Sequence, residues 1–206
     1  MKQEIFEKVV VTGGAGFIGS HLVDYLVAKS LAKKIVVIDN FSSGSLKNVE
    51  HHLGKEYFVL VNADLKFFDR KWVDVFREAD TVFHFAANPE VRVSSIEPRT
   101  HFNENVVATF NVLEASRLND VKLHFFASSS TVYGDAEKIP TPEDYALRPI
   151  SVYGASKAAC EMLYHSYSHL YGFSIAIGRY ANIIGYRSNH GVIIDFINKL
   201  RNNPTT

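Results

Sequence analysis

An α/β fold on a doubly wound parallel sheet is what this sequence predicts, and three observations predict it. Short β-branched runs alternate with longer amphipathic stretches, the pattern of repeated βα units. Between Val9 and Ser20 one such run passes through a cluster of glycines directly into a helical pattern. The chain has 206 residues, 47% of them hydrophobic and 13% aromatic. That is enough for one sizeable core and too apolar for a disordered chain.

The elements follow in order. Strands are predicted at Lys8 to Thr12, Lys34 to Asp39, Tyr57 to Asn62, Thr81 to Ala86, Lys122 to Ser128 and Ser174 to Arg179. Each is short, rich in β-branched or aromatic residues and bounded by polar or turn residues. Apolar residues recur at helical spacing in Ile18 to Lys29, Asp69 to Glu78, Thr100 to Leu118 and Val152 to Gly172, and Gly191 to Asn203 reads as a further helix. The segments bearing Pro and Gly, Phe41 to Gly44, Asn88 to Pro98 and Gly134 to Pro149, follow strand ends. In a parallel sheet those loops line the ligand crevice. The helix before Asn-Pro-Thr-Thr reads as much like a connection as a terminus, and further chain is expected beyond it. Residues 1–206 are read as one nucleotide-binding domain, with about 180–206 opening a substrate-binding portion that is otherwise missing.

Lys and Arg number 22, as do Asp and Glu. No basic surplus is left for a phosphate backbone or a lipid surface, so nucleic acid and membrane partners are disfavoured. No apolar run approaches the roughly 18 residues of a membrane span, and the charged start lacks a secretory apolar region. A cytosolic protein is expected. The lone cysteine, Cys160, excludes an internal disulfide and reads as buried packing.

In the glycine cluster, Gly13 can take a tight turn, Gly16 lets backbone approach a pyrophosphate, and Gly19 lets the helix pack close to its strand. Phe17 and Ile18 open a helix whose free N–H groups and positive dipole end favour phosphates. Asp39 ends the second strand about 20 residues past Gly19, the acidic position of a dinucleotide fingerprint. It would accept from both ribose hydroxyls and repel a 2′-phosphate, which selects NAD over NADP. Asp64 and Leu65 could meet the adenine, or Asp64 could be a turn or capping residue. Phe85, Ala86 and Ala87 are small or apolar and suit backbone passing close to the cofactor, or simple packing.

Tyr153 and Lys157 stand one helical turn apart at the start of the helix after the fifth strand. A phenol is a poor base at neutral pH; a cation beside it and a positive nicotinamide would favour phenolate. Such a tyrosine could take a proton from a sugar hydroxyl. Tyr25 and Lys29 share the spacing but lie late in the first helix, away from the strand ends. Ser128, Ser129, Ser130 and Thr131 end the fifth strand, where a hydroxyl can bond a substrate oxygen or merely cap a turn. Tyr133 has no lysine four residues on and reads as loop packing.

Together these residues resemble the extended short-chain dehydrogenase/reductase family, and within it the nucleotide-sugar epimerases, most closely the UDP-glucose 4-epimerases. The resemblance rests on Thr12-Gly-Gly-Ala-Gly-Phe-Ile-Gly-Ser20, Asp39-Asn40-Phe41-Ser42-Ser43-Gly44, His84-Phe-Ala-Ala87, Asn105, Ser128-Ser-Ser-Thr-Val-Tyr-Gly134, Tyr153-Gly-Ala-Ser-Lys157 and Arg179-Tyr-Ala-Asn182. It implies a Rossmann-type fold and a redox-neutral inversion at C4 of a nucleotide-diphosphate sugar, with NAD as cofactor. It implies further that Ser129 is the catalytic hydroxyl, Tyr153 the acid/base, and Lys157 the bridge between phenol and nicotinamide ribose. Asn40, Ser42 and Gly44 would join the cofactor site, Asn105 would support the catalytic face of the cofactor, and Asn182 would contact the substrate diphosphate. Sugar 4,6-dehydratases of the family carry an acidic pair after the catalytic hydroxyl, where this chain has Ser130 and Thr131. Epimerisation is therefore favoured over dehydration; another nucleotide-sugar enzyme on the same scaffold, such as a decarboxylase or reductase, is the alternative, and the complete set of Ser129, Tyr153 and Lys157 argues against cofactor binding without turnover. The helices Thr100 to Leu118 and Val152 to Gly172 resemble the pair that forms a four-helix homodimer contact in the family.

His165 and His169 have metal-ligand spacing without a third ligand and read as surface or subunit-contact residues. His51 and His52 lie in a polar stretch to which no role is assigned.

Overall fold

The computed structural model describes residues 5–188 and 191–202, Val192 through its backbone alone. Six strands form one parallel sheet: β1 (Phe6–Thr12), β2 (Ala32–Asp39), β3 (Phe58–Asn62), β4 (Thr81–His84), β5 (Leu123–Ser129) and β6 (Ser174–Tyr180), in the spatial order β3-β2-β1-β4-β5-β6. The order reverses beside β1, at the switch point where α/β sheets open a crevice. There Val9 sits between Ile35 of β2 and Thr81 of β4.

Alternation along β1 and β2 explains why both faces of the sheet are covered. Val10, Val36, Ile38 and Val82 pack on one face against Trp72, Phe76 and Val112, while Val9, Val11, Ile35 and Val37 pack on the other against Val23, Leu26 and Phe58. The helices doing so are α1 (Phe17–Ala28), α2 (Arg70–Val73) with the 3₁₀ turn Asp74–Phe76, and α5 (Ala108–Leu118); the short α3 (Val93–Ile96) and α4 (Pro98–His101) follow β4 and lead into α5. A third cluster joins Phe126 of β5 to Cys160, Tyr164 and Tyr167 of α6 (Val152–Tyr171); α7 (Val192–Asn202) follows β6. Cys160 is buried, as expected.

Three predicted elements differ in detail. Asp69 to Glu78 is one α-helical turn capped by the Asp69 carboxylate, then a 3₁₀ turn ending where Glu78 takes a left-handed φ of 60°. Thr100 to Leu118 is one helical run whose first part, Phe102–Val107, is π-helical. β4 ends at His84, so Phe85 to Ala87 leave the sheet. No helix among the described residues is long and apolar enough to cross a membrane.

Candidate active site

A cavity of about 740 Å³ opens at the carboxyl ends of the strands, within the usual size of a small-molecule site. Gly13, Gly16, Phe17, Ile18 and Gly19 line its floor. Gly13 has φ +68°, and a Cβ there would lie 2.6 Å from the Ala86 nitrogen; at Gly19 it would lie 2.3 Å from the Gly13 carbonyl oxygen. Only glycine permits this approach of α1 to the β1 and β4 ends. Gly16 is the N-cap of α1, yet no side chain caps the helix and no acid occupies its first turn. The end of α1 is thus left for an anion, and a pyrophosphate is the group such a cradle suits.

Asp39 and Asn40 continue the wall, followed by Ser42. The Asp39 carboxylate accepts from the backbone N–H groups of Ala15 (2.9 Å) and Phe41 (2.8 Å). Burial nonetheless raises its pKa. With the Gly16 N–H also pointing at it, the carboxylate still keeps acceptor capacity for a ribose hydroxyl. Gly44 does not line the cavity; it packs against Ala15 and the Asp39 carboxylate. Asp64 holds a turn by accepting from the Lys66 N–H (3.0 Å), and it lines the cavity with Leu65. Phe85, Ala86 and Ala87 line the opposite side. Lys66 and Glu104, paired at 3.4 Å, line it too. Nothing in their local sequence marks them, since the segments they join lie 38 residues apart.

Ser129, Tyr153 and Lys157 meet on the far wall. Ser151 caps α6 by accepting from the Gly154 N–H at 3.0 Å, which fixes where Tyr153 enters the helix. The Tyr153 phenol is hydrogen-bonded to Ser129. Ser129 also caps the short turn after β5, accepting from the Thr131 N–H at 3.2 Å and the Thr131 hydroxyl at 2.9 Å. Lys157 is buried, with its Nζ donating to the Ala127 carbonyl at 2.8 Å and lying 4.9 Å from the Phe126 ring centre. Burial lowers its pKa to about 8. The expected depression of the Tyr153 pKa is not what this arrangement produces: burial raises it, against the opposing Ser129 hydrogen bond. The ammonium of Lys157 is engaged with Ala127, so the cation that would favour phenolate is spent on a backbone oxygen.

Asn105 does not line the cavity. It lies buried in the π-helical turn, donating from Nδ2 to the Ser156 hydroxyl (2.8 Å) and accepting from the Asn88 N–H (2.8 Å). It thereby ties the Asn88 loop to the helix that carries Tyr153 and Lys157. Asn182 lines the cavity beyond β6. Tyr25 is exposed, and neither it nor Lys29 lines the cavity. His165 and His169 are exposed on α6.

Two features escape local sequence reading. Glu161, fully buried, pairs with Arg179 at 2.7 Å and accepts from the Ser128 hydroxyl. Arg179 in turn donates to the Tyr133 hydroxyl at 2.8 Å and to the Glu143 carbonyl at 2.6 Å. Tyr133, read as loop packing, is therefore a member of the network that holds the loop after Ser129. The second is Asp24, reached by His51, His52 and, at 2.8 Å, Arg187, which lines the cavity. Burial would raise the Asp24 pKa, but hydrogen bonds from His52, His51 and Arg187 outweigh it and hold the carboxylate low.

Fold and site define a dinucleotide-binding protein of the doubly wound class with a tyrosine, a lysine and a serine hydroxyl facing the cofactor crevice. The profile described as the NAD dependent epimerase/dehydratase family matches residues 9–205, and the chain belongs to that family. A putative UDP-glucose 4-epimerase of Methanocaldococcus jannaschii is 38% identical over 202 residues, 96% of this chain and 64% of its own length. A crystal structure of a UDP-galactose 4-epimerase is 55% identical with a TM-score of 0.86, covering 96% of this chain and 63% of that one. A double mutant of DesIV, a dTDP-glucose 4,6-dehydratase from Streptomyces venezuelae solved with NAD and DAU bound, superposes with a TM-score of 0.89 at 29% identity over 94% of this chain and 62% of its own. The chain spans a little under two thirds of the length of these relatives. The family is NAD dependent, and the uncapped α1, the glycine approach and Asp39 fit that cofactor.

Proposed function

We propose that this protein is an NAD-dependent nucleotide-sugar 4-epimerase that interconverts UDP-glucose and UDP-galactose through a transient 4-keto sugar. The observation that carries the reading is the meeting of Ser129, Tyr153 and Lys157 on one cavity wall, with Ser130 and Thr131 where a dehydratase would carry its acidic pair. The 55% identity to a UDP-galactose 4-epimerase supports it.

NAD, when bound, supplies reversible acceptance of the hydride from C4. Tyr153, as phenolate, takes the proton of the C4 hydroxyl and later returns it. Ser129 donates to the C4 oxygen and keeps it within reach of the phenol. Lys157 moves from the Ala127 carbonyl toward the phenol and the ribose, lowering the phenol pKa that burial has raised. Asn182 binds the diphosphate, an anchor that leaves the sugar ring free to turn and present its other face. A second copy packs on the exposed side of α5 and α6, where Phe110, Leu118, Met162 and Leu170 are solvent-facing, and light scattering of the purified protein would read a dimer mass.

The test is incubation of the protein in its full natural length with NAD and UDP-galactose, following UDP-glucose. Turnover that Tyr153→Phe abolishes supports the reading. NAD binding with unchanged UDP-galactose overturns the substrate assignment; C4 inversion of another nucleotide sugar would keep an epimerase with a different substrate, a product that has lost water or CO₂ or been reduced would move the reading to a dehydratase, decarboxylase or reductase, and no conversion at all to cofactor binding alone.

A further inference from the structure

Away from the cavity chemistry, one cluster brings three metal-type ligands to a point. His51 and His52 lie in a 3₁₀ turn between β2 and β3, and each Nε2 is 2.8 Å from the same oxygen, Oδ1 of Asp24 on α1. All three atoms lie within 4.8 Å of one another, and the two rings pack 4.0 Å apart. Among the described residues no other group of three such side chains converges.

We propose that Asp24, His51 and His52 form a binding site for a divalent transition metal of the zinc type. Two imidazoles and one carboxylate suit Zn²⁺ and its neighbours, whereas Mg²⁺ and Ca²⁺ prefer oxygen donors alone. Tetrahedral Zn²⁺ with bonds of about 2.0–2.1 Å sets its ligand atoms about 3.3 Å apart, so each 2.8 Å contact opens by about half an ångström. Each ring then carries its proton on Nδ1 and turns the Nε2 lone pair to the metal. For His52 that proton meets the Tyr57 hydroxyl oxygen, 3.1 Å from Nδ1. The other carboxylate oxygen of Asp24 accepts from Arg187 at 2.8 Å. Ligands oriented in this way by outer partners are what functional metal sites have. His52 is buried and His51 half exposed, which leaves an entry path and a fourth position open to water. The metal would tie α1 to the turn at residues 46–52 and, through Arg187, to the segment that borders the cavity.

The test is calorimetric titration of the tag-free chain with ZnCl₂, with thermal unfolding and the visible spectrum of the Co²⁺ form alongside. The expected result is one equivalent bound, a tetrahedral Co²⁺ spectrum, and a melting temperature raised by about 5–10 °C at a hundredfold excess over Kd. His51→Gln, an exposed position that should leave the fold intact by circular dichroism, weakens binding more than tenfold. The double variant His165→Gln with His169→Gln leaves it unchanged. Absence of saturable uptake below about 1 mM, or binding that survives His51→Gln and is lost with the α6 histidines, overturns the proposal.

Discussion

The inner strand β2 and the edge strand β6 are finished differently. The last five residues of β2 are all buried, whereas β6 has no buried residue. Beyond β6, Ile184 is 65%, Tyr186 84% and Phe196 56% exposed. The β1-α1-β2 side binds with backbone: glycines, an uncapped helix end and one carboxylate, all set by residues close in sequence. The β5-α6-β6 side works with side chains that meet across long sequence distances, Ser128 with Glu161 and Tyr133 with Arg179. A cofactor cradle can therefore be complete while the substrate side still depends on distant groups.

Variants can separate the two sides. The largest effect falls on chemistry: Tyr153→Phe in the full-length protein lowers turnover by about 10²–10⁴-fold, read by coupled assay, while NAD affinity stays within a few-fold. Gly13→Val strikes the other side. With φ +68° and backbone 2.6 Å from the new Cβ, it loses NAD binding by calorimetry and about 2–4 kcal/mol of stability in urea unfolding. Arg179→Met leaves the Glu161 carboxylate buried without its cation. It costs about 3 kcal/mol and disturbs the Ser129 loop, so kcat falls while NAD binding persists.

The smallest expected effect is a pH dependence that belongs to neither side. Burial lowers His84 to about 3 and His124 to about 4 from an ordinary 6.5. Each ring holds a proton less tightly folded than unfolded, so protons favour the unfolded chain as pH falls. This part of the stability is present above about pH 6.5 and lost between there and pH 3 to 4. His124 stacks on Phe173 at 4.4 Å with Nδ1 unpartnered. His124→Phe therefore flattens the acid limb by about 2 kcal/mol, measured by urea unfolding at pH 7 and pH 4.5.

The same contrast explains what could be read in advance. All six strands follow from β-branched runs, and the glycine loop with Asp39 from spacing, because those signals are local. The pairing of Glu161 with Arg179 and the convergence of His51, His52, Asp24 and Arg187 carry no local pattern, since packing of α1 and α6 creates them. The π-helical turn at Asn105 is also unmarked: Phe-Asn-Glu-Asn-Val-Val fits an α-helix as well. Spacing predicts Lys157 as a neighbour of the Tyr153 phenol, but its ammonium donates to the Ala127 carbonyl, a strand-end oxygen that only the folded chain brings near.

The most direct test of this division is an NAD titration of the 206-residue chain beside its Tyr153→Phe and Gly13→Val variants. A cradle built from the β1-α1-β2 backbone binds NAD in the parent and in Tyr153→Phe alike, and fails in Gly13→Val. Equal loss in both variants, or unimpaired binding by Gly13→Val, would contradict it.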